Sequence, residues 1–159
     1  MERYNIIVIG GGSGGLVVAA GATGLGAKVA LIEKHKMGGD CLNYGCIPSK
    51  AFLKTGKVAH SVRNAGKYAI HTGISELPSQ NLETAMDYVR AAQAHIEPHD
   101  SVERLTGLGV DVKPGSGKLR SDHEVEIEDT GEVIWGRHIV IATGSRAFVP
   151  PIPGLEDAG

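Results

Sequence analysis

The sequence predicts an α/β fold, with a parallel sheet at its centre and a small antiparallel β-meander attached. Three observations predict it. Tyr4–Ile9, YNIIVI, is a continuous apolar run of the kind found in sheets covered on both faces. It leads straight into a glycine-rich turn, a stretch of small residues and a second apolar run. Farther on, four short segments between Val110 and Trp135 alternate apolar with polar residues before a last apolar run, His138–Ala142.

In order along the chain, Tyr4–Ile9 is the first strand, and Gly10-Gly11-Gly12-Ser13-Gly14-Gly15 follows at once. Leu16–Leu25, LVVAAGATGL, reads as a helix of small residues, and Lys28–Ile32 as a second strand ending in Glu33. Strand, G-x-G-x-x-G, helix, strand and acid together make a Rossmann-like dinucleotide-binding unit. Gly10 permits the tight turn, Gly12 lets the backbone approach a pyrophosphate, and Gly15 lets the helix pack closely on the strand. The helix N-terminus offers free N–H groups and a partial positive charge to phosphates, and Glu33 is placed to accept hydrogen bonds from a ribose. The motif by itself does not separate one dinucleotide from another.

His35–Met37 reads as a polar loop. A helix is expected to start near Cys46, because Pro48 fits only in a first turn, and to run to about Arg63. Gly66–Pro78 reads as loop. Asn81 caps a helix reaching Glu97, with apolar residues at Leu82, Ala85, Met86, Val89, Ala92 and Ile96. Pro98 breaks it, and a short helical piece, Asp100–Leu105, follows. Val110–Lys113 is a strand. Gly117–Arg120, Glu124–Glu128 and Glu132–Trp135 form the meander, and His138–Ala142 is a further buried strand. Thr143-Gly144-Ser145 then offers backbone to a ligand at the carboxyl edge of the sheet. Arg146–Gly159 is proline-rich and reads as the start of a linker, leaving residues 1–145 as one domain.

Composition narrows the function. A net charge of −2 gives no general attraction to nucleic acid or to an anionic membrane. No apolar stretch approaches the ~20 residues that span a bilayer, and the first residues lack the basic region of a secretory signal. A cytoplasmic location is the expectation, and there a cysteine pair is more often catalytic than structural.

The only two cysteines, Cys41 and Cys46, lie in Gly38–Leu53, GGDCLNYGCIPSKAFL. Cys46 at a helix N-terminus, with Lys50 one turn on, favours thiolate, and Cys41 within reach can resolve it as a disulfide. A buried cysteine pair and half of a zinc site are the competing readings. Zinc needs four ligands, and no second pair with finger spacing follows. His95 and His99 are also four apart, with Asp100 adjacent, but Pro98 disturbs the register between them, so no metal ligand is assigned.

GGDCLNYGCIPSK resembles the active-site motif of the flavin-dependent pyridine nucleotide–disulfide oxidoreductases, which include dihydrolipoamide dehydrogenase, glutathione reductase and mercuric reductase. The supporting pieces cover nearly the whole chain. GGDC and Pro98–Arg104 lean toward the mercuric-reductase-like branch. The resemblance implies a Rossmann-like FAD-binding domain. Gly10, Gly12, Ser13, Gly14 and Gly15 would hold the FAD pyrophosphate, and Glu33, with Lys34 beside it, the adenosine ribose. Gly39, Asp40 and Cys41 would line the cofactor near its phosphates and ribityl chain. Cys46 would stack against the flavin, Cys41 would be the outer thiol that attacks substrate, and Lys50 would tune the flavin's charge. Gly117 would contact the adenine end, and Thr143, Gly144 and Ser145 would close over the cofactor. Asp40 stands where threonine is frequent, and Tyr44 where a smaller residue is frequent, so Tyr44 could narrow access between the cysteines.

The resemblance further implies electron flow from NAD(P)H through FAD to the Cys41–Cys46 disulfide, then to a disulfide or a thiol-reactive metal ion. No second G-x-G-x-x-G occurs, and the family's catalytic histidine–glutamate pair is not recognised among the seven histidines. The expectation is therefore the N-terminal portion of a longer, homodimeric enzyme, inactive by itself. Three rivals stay open: a nucleotide-binding module without redox turnover, an NAD-binding Rossmann domain with incidental cysteines, and a metal-trafficking protein.

Overall fold

The computed structural model describes residues 1–71, 73, 81–146, 148–155 and 157. Six strands, β1 (Arg3–Ile9), β2 (Val29–Glu33), β3 (Asp111–Pro114), β4 (Gly117–Leu119), β5 (Glu124–Ile127) and β6 (Glu132–Ile141), form one sheet in the order β3-β2-β1-β6-β5-β4. β3, β2, β1 and β6 run parallel, whereas β5 and β4 continue antiparallel from β6. In the parallel part Ile7 stands between Ala30 and Ile139, and Val8 between Leu31 and Val140.

The sheet separates two apolar cores. On one face Val8, Val29 and Leu31 pack under Leu16 and Ala19 of α1 (Ser13–Gly24) and under Leu105, with Val110 alongside. On the other, Ile7, Ile9, Ala30 and Ile32 pack against Val125, Ile127 and Ile134 of the antiparallel arm. Continuous apolar strands follow from this, because both faces of β1 and β2 are covered.

Five differences from the sequence expectations have physical causes. The segments Glu132–Trp135 and His138–Ala142 are one strand, β6. Its first part pairs antiparallel with β5, and from Trp135 to Ile141 it pairs parallel with β1. Gly136, which lies between these two expected segments, is a packing residue: a Cβ there would lie 2.8 Å from two Ile7 side-chain carbons. The end of β6 is not buried as expected. Ile139 and Val140 are half-buried on opposite faces and Ile141 is 64% exposed: the core on the Ile139 face does not extend to it, whereas Val140 and Ala142 still pack on the other. Helix α1 starts three residues earlier than expected, since extended Gly12 (φ −83°, ψ −174°) is its N-cap and the glycine turn supplies its first turn. A one-turn helix, α2 (Gly39–Asn43), gives no periodic signal in sequence and was not anticipated.

Helix α3 (Cys46–Arg63) begins and ends where expected. Its seam of Ala51, Thr55 and Ala59 faces α4 (Leu82–Ile96), whose N-cap, Asn81, accepts a hydrogen bond from the Glu83 N–H at 2.9 Å. The expected loop from Gly66 to Pro78 begins with a 3₁₀ turn, Ala65–Tyr68, and most of its remainder lies outside the described residues. Pro98 sits in a second 3₁₀ turn, Glu97–Asp100, and Ser101 then caps α5 (Val102–Gly107), accepting from the Arg104 N–H at 3.2 Å. Among the described residues no helix is long and apolar enough to cross a membrane.

Candidate active site

The site is built where the carboxyl ends of β1, β2 and β6 meet the N-terminus of α1. At Gly10 (φ +111°) a Cβ would lie 2.2 Å from the Ala142 carbonyl oxygen and 3.1 Å from the Thr143 Cα, so only glycine lets the end of β6 pass. At Gly15 a Cβ would lie 1.8 Å from the Gly10 carbonyl oxygen, so the absent side chain sets how closely α1 rests on β1. Gly14 is different. Nothing lies within 4 Å of its Cβ position, and α1 has no side-chain cap. The first N–H groups of the helix, Ser13, Gly14 and Gly15, thus precede the first intrahelical bond, Leu16 N–H to Gly12 O at 2.9 Å.

Glu33 closes this turn from β2. Its carboxylate accepts hydrogen bonds from the Gly11 N–H at 2.6 Å and the His35 N–H at 2.7 Å. The side chain expected to meet a ribose also braces the glycine turn, which the sequence did not reveal. Lys34, beside it, is exposed.

The segment carrying the dithiol is seated directly on the glycine turn. The Gly38 N–H donates to the Gly11 carbonyl at 2.9 Å, and Gly12 and Gly38 form a parallel bridge. Gly39 is left-handed (φ +56°), and a Cβ there would lie 2.6 Å from the Gly12 Cα. Glycine against glycine is thus what brings two motifs, separated by some thirty residues of chain, into backbone contact. Leu42 is buried over Gly38, and the Asn43 carboxamide donates to the carbonyls of Met37 (3.1 Å) and Gly39 (2.8 Å). Asn43 was not anticipated as a site-shaping residue.

Cys41 lies in α2 and is half-buried; Cys46 opens α3 and is exposed. Both are free thiols, one on each of two successive helices. Opposing influences act on the expected thiolate character of Cys46. Its thiol is pushed above the ordinary range, first by the hydrogen bond to Cys41 and then by the charge of that neighbour, with desolvation adding to both. Lys50, one turn along α3, pulls in the expected downward direction but does not prevail. Between the cysteines, Tyr44 and Gly45 both donate their N–H groups to the Asp40 carbonyl, at 2.8 and 2.6 Å. The Asp40 carboxylate lies against Gly45, where a Cβ would be 2.6 Å from Oδ2. Tyr44 is 73% exposed, so its ring is not packed between the thiols.

The remaining expected residues divide. Thr143 abuts Gly10, whereas Gly144 (φ +65°) and Ser145 lie exposed beyond it. Gly117 of β4 sits over Ile9 and Ile32, where a Cβ would be 3.1 Å from Ile9 Cγ2. Its immediate constraint is packing of the antiparallel arm. His95 lies in the last turn of α4 while His99 lies in the 3₁₀ turn, so they do not share a helical face register.

A glycine-rich turn at a helix N-terminus thus lies in backbone contact with the segment that carries both cysteines. The pyridine nucleotide-disulphide oxidoreductase family matches residues 4–159. The chain belongs to that family. It is 39% identical to a dihydrolipoyl dehydrogenase of Acholeplasma laidlawii, over 99% of this chain and 45% of the relative. It is 35% identical to a dihydrolipoyl dehydrogenase of Bacillus subtilis (strain 168), over 99% of this chain and 34% of the relative. It is 31% identical to a mercuric reductase of Bacillus cereus, over 97% of this chain and 24% of the relative. The chain therefore spans less than half the length of these curated relatives. Membership in this flavoprotein oxidoreductase family implies FAD and NAD(P)H.

Proposed function

We propose that this chain is the FAD-binding and redox-dithiol portion of an oxidoreductase. In it, electrons pass from NAD(P)H by way of FAD to the Cys41–Cys46 disulfide, and on to a disulfide or a thiol-reactive metal ion such as mercuric ion. The observation that carries this reading is the seating of Gly38–Gly39 on Gly11–Gly12. It sets the dithiol turn beside the uncapped N-terminus of α1, so one extended dinucleotide on that helix end can also reach the cysteines.

The residues fit such a cofactor. Ser13, Gly14 and Gly15 would hold the pyrophosphate with backbone N–H groups at an open helix end of partial positive charge. Glu33 keeps acceptor capacity for a ribose hydroxyl beyond its two backbone bonds. Thr143, Gly144, Ser145 and Gly117 would complete the cradle, with Gly39 and Asp40 on the side of the dithiol. FAD, when bound, supplies two-electron chemistry. The chain's own share begins when the S–S bond takes up two electrons and two protons to give two thiols. Cys46, with Lys50 beside it, is the inner sulfur. Cys41 is the outer one, whose thiolate attacks the substrate sulfur or metal. In this reading the enzyme is cytoplasmic and homodimeric, with a linker from Arg146 onward leading to its NAD(P)-binding part.

The names of the dihydrolipoyl dehydrogenase relatives favour a second reading, in which the same pair oxidises a small-molecule dithiol and electrons run toward NAD+. Visible spectra of the purified chain with FAD, before and after dithiothreitol, test the common core. Flavin that co-elutes with the chain, and gains a long-wavelength band abolished by Cys46→Ser, is expected. Flavin bound without that band would overturn the dithiol role. In the full-length parent, mercuric-ion-dependent against lipoamide-dependent turnover separates the two substrates.

A further inference from the structure

The two cysteines are carried by separate helices. Cys41 belongs to the single turn α2, and Cys46 to α3, which packs along α4. A turn of five residues ends in carbonyls that have no partner within it. Two of these, on Leu42 and Asn43, receive hydrogen bonds from one side chain, the half-buried Gln93 of α4: its Nε2 lies 3.0 Å from each. A carboxamide has two N–H donors, and both are spent here on the two residues that follow Cys41. Gln93 is fifty and fifty-one residues distant in sequence from its partners, and among the described residues it makes the side-chain hydrogen bonds that join α4 to the Cys41 turn.

We propose that Gln93 is a positioning residue for the dithiol: by tying the end of α2 to the α3–α4 pair, it holds Cys41 in register with Cys46. The inference rests on the redox-dithiol reading above. A pair held in register has already lost the entropy that forming the S–S bond would otherwise take, so Gln93 favours the disulfide and lowers its reduction potential.

The test is a redox titration of the full chain in dithiothreitol buffers. Oxidised dithiothreitol accepts two electrons and two protons as the Cys41–Cys46 bond forms, and the loss of two hydrogens is read by mass spectrometry. Gln93→Met keeps length and shape but removes both donors. We expect its disulfide formation constant to fall about tenfold, a rise of about 30 mV in potential. Gln93→Asn, whose amide falls short of the carbonyls, should shift the same way and serves if the Met variant does not fold. Val89→Ala, one turn away on the buried face of α4, should lower the melting temperature while leaving the potential within about 5 mV, a sixth of the shift expected for a tenfold change. A wild-type chain that forms no Cys41–Cys46 disulfide would overturn both the dithiol reading and this inference. A wild-type disulfide whose potential is unchanged in both Gln93 variants, or moved as much by Val89→Ala, would overturn this inference alone.

Discussion

The contact between Gly12 and Gly39 gives a prediction that can be worked through. In Gly39→Ala the new methyl group meets two separate penalties. A left-handed residue (φ +56°) that gains a Cβ costs about 1–2 kcal/mol. The Cβ would also lie 2.6 Å from the Gly12 Cα, which is backbone and cannot rotate aside, so α2 must move off the glycine turn. Crowding of this kind costs about 1–3 kcal/mol. Together they give about 2–5 kcal/mol, or a fall in melting temperature of roughly 5–15 °C for a chain of this size. Gly14→Ala is the matched control. Its Cβ meets nothing within 4 Å and lies in the first turn of α1, so relief of glycine's backbone entropy should leave stability unchanged or raise it by up to about 1 kcal/mol. Thermal unfolding followed by circular dichroism, without added cofactor, reads both. A Gly39→Ala chain melting within about 1 °C of the wild type, against the several degrees that even a 2 kcal/mol loss implies, would refute the seating of the dithiol segment on the turn. Equal destabilisation by Gly14→Ala would refute the argument that contact rather than composition decides.

Three further outcomes are expected. Gly15→Ala, with its Cβ 1.8 Å from the Gly10 carbonyl oxygen, should destabilise by about 1–3 kcal/mol even though alanine is the better helix former, as urea unfolding would show. Cys41→Ser should move the pH profile of Cys46 alkylation to lower pH, because the neighbour that raises this thiol is lost; Lys50→Met should move it higher, and rates of iodoacetamide labelling across pH read both. Buried Tyr4 donates its hydroxyl to the Asp111 carboxylate, and burial with that bond raises its pKa far above the ordinary value. Tyr4→Phe should therefore cost about 1–3 kcal/mol. Because the folded pKa is the higher one, the difference from wild type is fully present below about pH 10, the unfolded tyrosine value, and shrinks above it. Urea unfolding at pH 7, 9 and 11 measures that difference.

What the sequence by itself determined is local. The run Tyr4–Ile9 followed by glycines and a second apolar run dictates strand, turn and helix, because period and turn chemistry act between near neighbours. Pro48 likewise dictates the start of α3 at Cys46, and Asn81 that of α4, since each satisfies or omits a specific N–H at a helix end. The roles of Gly10 and Gly15 were legible for the same reason. The tertiary structure decided whatever depends on a partner far along the chain. Gly136 lies between two segments expected as separate strands and is instead the point where one strand passes Ile7. Glu33 reads as a ribose ligand and also clamps Gly11; Gln93 and Asn43 read as ordinary polar residues and hold the Cys41 turn. Cys46 shows the division most plainly. Its helix end and Lys50 are sequence-local and favour thiolate, but Cys41 belongs to a different helix, and its hydrogen bond and charge act on Cys46 in the opposite direction.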